Sequence, residues 1–410
     1  MNKYLLFTPG PVNVAKNLRI AICKEDICHR EADFDQLLMS IENKLLKLFQ
    51  IKNIEDYRAV VITGSGTAAN ESMLSSVVGD KNILILSNGE FGDRLHNISS
   101  VYNTNTHLLN FAWGESFDLE KIETYLKQND INVVAMAHHE TSSGMLNPLE
   151  EIGTLCKSYN SLFIVDCVSS AGAEVIDMEK YHIDFCSSSS SKAIGSYSGL
   201  SFVVGRTDRF EDLKNLPVKS VYLNLYNFYS FIKNHSQTPN TPAVHLFYAL
   251  EVALENILNE GVETRFANLR YKANLLRQGM LDLNLNFLID QNKMSSILTT
   301  VYVPSYMNIS NLRDHLRDQS IIIYEGKGCF KGKVFQVGNI GELSYKDIQF
   351  FLDTLKDILL LYQPVKKNTL LLTQWLIPEL AEVNIAPKLA AANTVRELLE
   401  PNRATEIVEI

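Results

Sequence analysis

Basic charge, clustered cysteines and long apolar runs are all scarce in this chain of 410 residues. Acidic residues outnumber basic ones, 47 to 38, for a formal net charge of −9. That balance argues against a surface built for nucleic acid, which takes a basic excess. The six cysteines (Cys23, Cys28, Cys156, Cys167, Cys186, Cys329) lie far apart with no CxxC pair. Such spacing offers neither a disulfide frame nor a zinc site and suits a reducing compartment. No stretch approaches the roughly 20 apolar residues of a membrane span. The opening "MNKYLLFTPGPVNV" breaks at Pro9 and Pro11, too early for a signal-peptide core. Repeats and a disordered linker are also missing. The expectation is a cytoplasmic protein with no nucleic-acid, membrane or metal partner.

What is present is an ordinary globular composition, 46% hydrophobic and 21% charged, long enough for two domains. Strand-like runs occur at 58–64, 82–88, 131–137, 162–168, 185–190 and 200–205, with helix-length segments between most of them. Strands apolar throughout and separated by helices predict an α/β fold with a mainly parallel central sheet covered on both faces. After about residue 255 the pattern changes. A long helical stretch over 243–283 leads to "SILTTVYV", a helix near 308–317, "IIIYEG", "FQVGNIG" and a further helix. The expected organisation is a large domain over 1–255, whose N-terminal segment can also pack on the smaller one. A smaller C-terminal α+β domain over 256–363 follows, then a helical tail over 364–410 of unassigned role. In the tail, Leu372, Trp375, Leu376, Leu380 and Val383 fall near helical spacing.

Ligands of parallel sheets bind beyond the C-terminal strand ends, and the polar motifs fall there. In "VVITGSGTAANES" a strand ends at Thr63, and Gly64-Ser65-Gly66-Thr67 opens a helix. The glycines allow a tight turn that aims amides and the Ser65 and Thr67 hydroxyls at one spot, a phosphate cradle. It is not a Walker loop, since the lysine of that motif is missing; the plain alternative is an ordinary strand–helix turn. In "LFIVDCVSSAG", Asp166 sits at a strand end, where a buried carboxylate needs a cation. It reads either as a structural or capping residue or as the partner of a protonated ring nitrogen. Lys192 follows five serines, Ser187–Ser191, and precedes a small-residue loop. A lysine so placed can be desolvated into a reactive amine, or it can be a solvated surface residue. Together, cradle, aspartate and lysine at strand ends of one sheet are the parts needed to hold pyridoxal phosphate.

With those motifs in place the chain resembles the class V (fold type I) aminotransferases, and within them most closely the 2-aminoethylphosphonate:pyruvate transaminases. The resemblance rests on "LLFTPGPVNV", "DICHREADF", "GSGTAANES", "SNGEFGDR", "HHETSSGMLNPLEEIG", "IVDCVSS", "SSSSSKAIGSYSGLSFVVG", "VYLNLYNFY", "QTPNTPAVHLFYAL" and "FQVGNIG". These run in order over about 4–362. The resemblance implies a fold type I transferase in which Lys192 links to pyridoxal 5′-phosphate and moves the proton. It implies that Ser65, Gly66, Thr67 and Ser191 contact the phosphate, and that Phe91 and Val168 lie on the two faces of the ring. Thr141 would meet the ring oxygen and Asp166 the ring nitrogen. Thr241 would reach the phosphate of a neighbouring subunit, which implies a homodimer with shared sites. His138 and His139 receive no role.

Two positions depart from the family. Ser191 stands where Asn or Gln is usual, and its hydroxyl can still bond a phosphate oxygen. Gln336 stands where the family has the arginine that binds the substrate's acid group, and an amide cannot replace a bidentate charged contact worth about 1.5–3 kcal/mol per bond. Glu325 adds negative charge nearby. Either another cation compensates, with Arg30, Arg94, Lys327, Lys331 and Lys333 as candidates, or the substrate differs. The implied reaction is 2-aminoethylphosphonate plus pyruvate to phosphonoacetaldehyde plus alanine. The alternatives are a lyase, a decarboxylase or a transaminase of another amine on the same cofactor, or a non-catalytic assembly protein.

Overall fold

The computed structural model describes residues 4–364. Residues 1–358 form one compact unit containing both main sheets. The predicted tail, with its Leu372–Val383 stripe, lies outside the described residues.

Seven strands build the central sheet: β1 (Tyr57–Thr63), β2 (Ile83–Ser87), β3 (Thr106–Asn110), β4 (Val133–Ala137), β5 (Leu162–Asp166), β6 (Phe185–Ser189) and β7 (Leu200–Arg206). Their order is β1-β7-β6-β5-β4-β2-β3. All run parallel except β7, which is antiparallel to both of its neighbours. Every residue of β2, β4 and β6 is buried, as strands covered on both faces require. The sequence reading missed β3, because "THLLN" lies at the sheet edge, half exposed, and lacks the continuous apolar run.

Helices cover the sheet. The Gly66–Val77 helix lies on β6 and β7, the Glu90–Tyr102 helix on β2 and β4, and the Leu225–His235 helix on β1. Ser187 and Ser189, on the face of β6 toward the first of these helices, follow from that contact. A Cβ added at Gly66 would come within 2.8 Å of Val168 and 3.4 Å of the Ser189 Cβ. Helix and strand approach too closely for bulk on either side. The buried hydroxyls are bonded: Ser187 Oγ donates to Asn70 Oδ1, Ser188 Oγ to the Cys167 carbonyl at 3.3 Å and Ser190 Oγ to the Leu200 carbonyl at 2.9 Å. Polarity thus costs little there.

The helix predicted over 243–283 is two, Val244–Glu260 and Val262–Asp282. They are separated by Gly261, whose φ of +86° favours glycine at a helix end. A second sheet follows, antiparallel: β8 (Leu298–Tyr302), β9 (Tyr324–Glu325) and β10 (Val334–Gly338), in the order β8-β10-β9. The N-terminal Leu5–Leu6 pairs in parallel with Ile321–Ile322 beside this sheet. The segment then passes over Gly338, where a side chain would collide with the Thr8 carbonyl at 2.4 Å.

Candidate active site

Asp166, Lys192 and the Gly64–Thr67 turn all lie at one edge of the central sheet, at the C-terminal ends of β5, β6 and β1. Asp166 is buried, 5% exposed. Its Oδ1 accepts the Val168 amide at 2.8 Å and its Oδ2 accepts Asn70 Nδ2 at 2.6 Å. Among the described residues it has no ion pair. Burial pushes its carboxyl above the ordinary value, with those two hydrogen bonds and the charges of Arg94 and Lys192 opposing. A buried anion without a counter-ion is expensive. A protonated ring nitrogen would supply the missing charge.

Lys192 is partly buried, and the N-terminal segment covers it. A Cβ at Gly10 (φ +130°) would stand 2.5 Å from Lys192 Cδ and 2.9 Å from Nζ. Only glycine lets that backbone lie so close to the amine. Desolvation, helped by Lys327 and Arg94 and opposed by Asp166, lowers the Lys192 pKa to about 8. The amine is thereby brought within reach of its neutral, nucleophilic form near neutral pH.

The Gly66–Val77 helix starts at Ser65, whose side chain makes no capping bond, so hydroxyl and first-turn amides are open to an anion. Ser191 contributes a hydroxyl 3.4 Å from Ser189 Oγ. Val168, 9% exposed, packs against Gly66. Thr141 is buried and donates to Ser169 Oγ at 2.8 Å. Phe91, in the first turn of the Glu90–Tyr102 helix, is held through its backbone. The buried Glu140 carboxylate accepts the amides of Phe91, Gly92 and Ser142, each at 3.1 Å, and thereby ties the Phe91 turn to the Thr141 turn.

The remaining predicted residues are placed differently. Gln336 is 1% exposed, and its Nε2 donates to the Thr141 carbonyl at 2.6 Å, with the Ser142 carbonyl and Thr300 Oγ1 each at 3.2 Å. It braces the turn carrying Thr141 from the second sheet. Arg30 is exposed and gives its hydrogens to the Thr238 and Pro239 carbonyls at 2.7 and 3.2 Å and to Gln237 Oε1. It therefore props the loop leading to Thr241, which is itself exposed. Glu325 is engaged by the Gly332 amide at 2.9 Å and Arg313 at 3.6 Å. Sequence reasoning missed Gly10, Asn70, Glu140 and Ser169. The TPGP turn was the visible signal for Gly10, whereas the other three meet their partners only through the fold. His138 and His139 are buried, and burial lowers both rings to about 3. No group of three or more metal-ligating side chains occurs among the described residues, and none of their helices is long and apolar enough to cross a membrane.

Residues 21–340 match the aminotransferase class-V family. The chain is a class-V aminotransferase. It is 34% identical to an uncharacterised aminotransferase of Methanocaldococcus jannaschii, over 84% of this chain and 90% of the relative. It is 31% identical to the 2-aminoethylphosphonate–pyruvate transaminase of Phocaeicola vulgatus, over 87% of this chain and 99% of that one. Among solved structures it superposes on ureidoglycine–glyoxylate aminotransferase of Bacillus subtilis with a TM-score of 0.82, at 28% identity over 89% of this chain and 95% of that one. The enzyme depends on pyridoxal phosphate, as the fold type I aminotransferases do. Its site fits that cofactor: a buried carboxylate with no ion pair among the described residues, a lysine of lowered pKa and an open helix N-terminus lie at strand ends of one sheet.

Proposed function

We propose that this aminotransferase moves the amino group of a small anionic primary amine to pyruvate, with 2-aminoethylphosphonate as donor and phosphonoacetaldehyde and alanine as products. The carrying observation is the pairing of Asp166, buried without an ion pair among the described residues, with the desolvated Lys192. Ser65, Gly66, Thr67 and Ser191 hold the phosphate of pyridoxal 5′-phosphate. Phe91 and Val168 bracket the ring, Thr141 meets its oxygen, and Asp166 keeps its nitrogen protonated. When bound, the cofactor supplies an aldehyde for the amine and an electron-withdrawing ring. Lys192 Nζ would be the group that holds the cofactor, and the same amine, once free, would take a proton from the substrate carbon and later give it up, as base and then acid. Its lowered pKa suits both roles near neutral pH. The exposed Thr241, on a loop propped by Arg30, supports completion of the phosphate site by a second copy in a homodimer.

Likeness to the transaminase of P. vulgatus supports the choice of donor. Gln336 favours a second reading, a different amine, because its amide is turned toward backbone carbonyls. The test is a half-reaction. Purified enzyme mixed with 2-aminoethylphosphonate and no acceptor yields one equivalent of pyridoxamine phosphate, and added pyruvate restores the aldehyde and forms alanine. Conversion by other amines alone would favour the second reading. Release of phosphonate, carbon dioxide or ammonia without pyridoxamine phosphate would show a lyase and overturn both.

A further inference from the structure

Gln336 is buried and turned to backbone carbonyls, and the strand that carries it has no lysine or arginine to meet an acid group. Two cations converge on Phe91. The Arg94 guanidinium lies 4.8 Å from the ring centroid, and Lys327 Nζ lies 5.6 Å from it. They arrive from different parts of the chain, Arg94 from the Glu90–Tyr102 helix and Lys327 from the loop after β9. That loop is seated by shape. Gly328 (φ +51°) lies against Trp113, where a Cβ would stand 2.5 Å from the indole, and Phe330 packs on the same ring at 5.9 Å. Trp113 is anchored in turn by its Nε1 bond to Asp93 at 3.1 Å. Lys327 is thus held beside Phe91 by a packed loop.

Nearby carboxylates are accounted for. Asp93 accepts from Ser87 Oγ at 2.6 Å and from Trp113, and Glu325 is turned to Gly332 and Arg313. Glu90 alone stands between the two cations, with Oε1 2.8 Å from Arg94 and 3.5 Å from Lys327. Arg94 and Lys327 share this one carboxylate at a half-exposed spot, and both cations act on the Lys192 amine. Two cations that share one half-exposed carboxylate near the amine suit a donor with an anionic group a short chain away from its nitrogen.

We propose that Arg94 and Lys327 form the receptor for the donor's acid group, with Glu90 as the resident anion that the phosphonate or carboxylate displaces. This rests on the transaminase reading above. The three residues determine specificity; proton transfer stays with Lys192.

The holoenzyme is assayed with 2-aminoethylphosphonate and with propylamine, which lacks the acid group. Lys327→Gln and Arg94→Gln each lower the ratio of kcat/KM for the phosphonate over that for propylamine by about tenfold or more, the loss of one charge-assisted contact. Most of the change falls in KM. Lys327→Arg restores the ratio, and Glu90→Gln raises it. Ethylphosphonate, which has no amine, binds the holoenzyme in calorimetry with a Kd that Lys327→Gln weakens by a similar factor. An unchanged ratio and unchanged ethylphosphonate binding in Lys327→Gln would overturn the receptor while leaving the transaminase reading intact. Failure of every anionic amine to convert the cofactor in the parent enzyme would overturn the reading itself.

Discussion

The two edges of the central sheet differ in how their charges are met. The edge away from Lys192 holds a cavity of about 890 Å³, lined in part by Tyr57, Leu162, Asp184, Arg206 and Arg209. Its arginines are paired. Arg209 bonds Asp184 at 2.8 Å, Arg206 bonds Asp208 at 2.9 Å, and Asp184 also accepts the Phe163 amide at 2.9 Å. The edge with Lys192 keeps a buried Asp166 without an ion pair among the described residues, beside a lysine depressed by desolvation. Space is abundant at one edge, and electrostatic cost is concentrated at the other. A bound cation is what would offset the cost of Asp166, and that supports the proposal of the Lys192 edge as the working one.

The largest effect follows from removing the amine. Lys192→Ala lowers the single-turnover rate of pyridoxamine phosphate formation by roughly 10⁴-fold, the upper range for a lost acid–base group. It also abolishes the borohydride-fixed link between protein and cofactor. A residual rate within tenfold of the parent would place the chemistry elsewhere.

Matched substitutions at the two edges break the comparison directly. Asp166→Asn removes the carboxylate proposed to pair with the ring nitrogen, a loss of about 3–5 kcal/mol or roughly 10²–10⁴-fold in half-reaction rate. Asp184→Asn, at the far edge, costs about 1–3 kcal/mol of stability through Arg209 and the Phe163 amide, and kcat stays at the parent value. Denaturant midpoints and kinetics on the same preparations separate the two. Equal catalytic losses would erase the distinction between the edges.

The lowered pKa of Lys192 gives the comparison a pH signature. In the cofactor-free protein the folded value is about 8 against 10.5 for the free side chain, so the unfolded chain binds more protons between those limits. Stability carries the full cost of the buried charge below pH 8 and gains as pH rises from about 8 to 10.5. Urea midpoints of the cofactor-free protein rise over that window, and Lys192→Met flattens the rise. An equal slope in both proteins would show that the amine is not the group desolvated.

The strand-end elements of this site were legible because each is local. Asp166 closes an apolar strand, Lys192 follows a run of small residues that the close approach of Gly66 demands, and the Gly64–Thr67 turn announces a helix start. The edge strand β3 was not legible, since half-exposed "THLLN" lacks the burial that writes apolar runs. Nor was the inward use of Gln336, whose acceptors lie 195 and 194 positions earlier in the chain. Glu325 misled for the same reason: its charge reads as facing the site, whereas Gly332 and Arg313 take it up. Composition and spacing report what one element does alone. The direction of a long polar side chain is decided by what the second sheet brings against it.

The smallest expected effect tests that last point. Gln336→Leu keeps the volume near β10 but leaves the Thr141 and Ser142 carbonyls without their side-chain donor, at about 1–3 kcal/mol for buried groups so stranded. The cost appears as a lower denaturant midpoint. It also appears as faster loss of cofactor on dilution, because the turn carrying Thr141 loosens. Specificity between 2-aminoethylphosphonate and propylamine stays within about twofold of the parent, since the amide faces the protein and one unmade contact of even 1 kcal/mol would exceed that factor. A change of tenfold or more in that ratio would mean that Gln336 meets the substrate after all, and that the second sheet reads the donor as well as holding the turn.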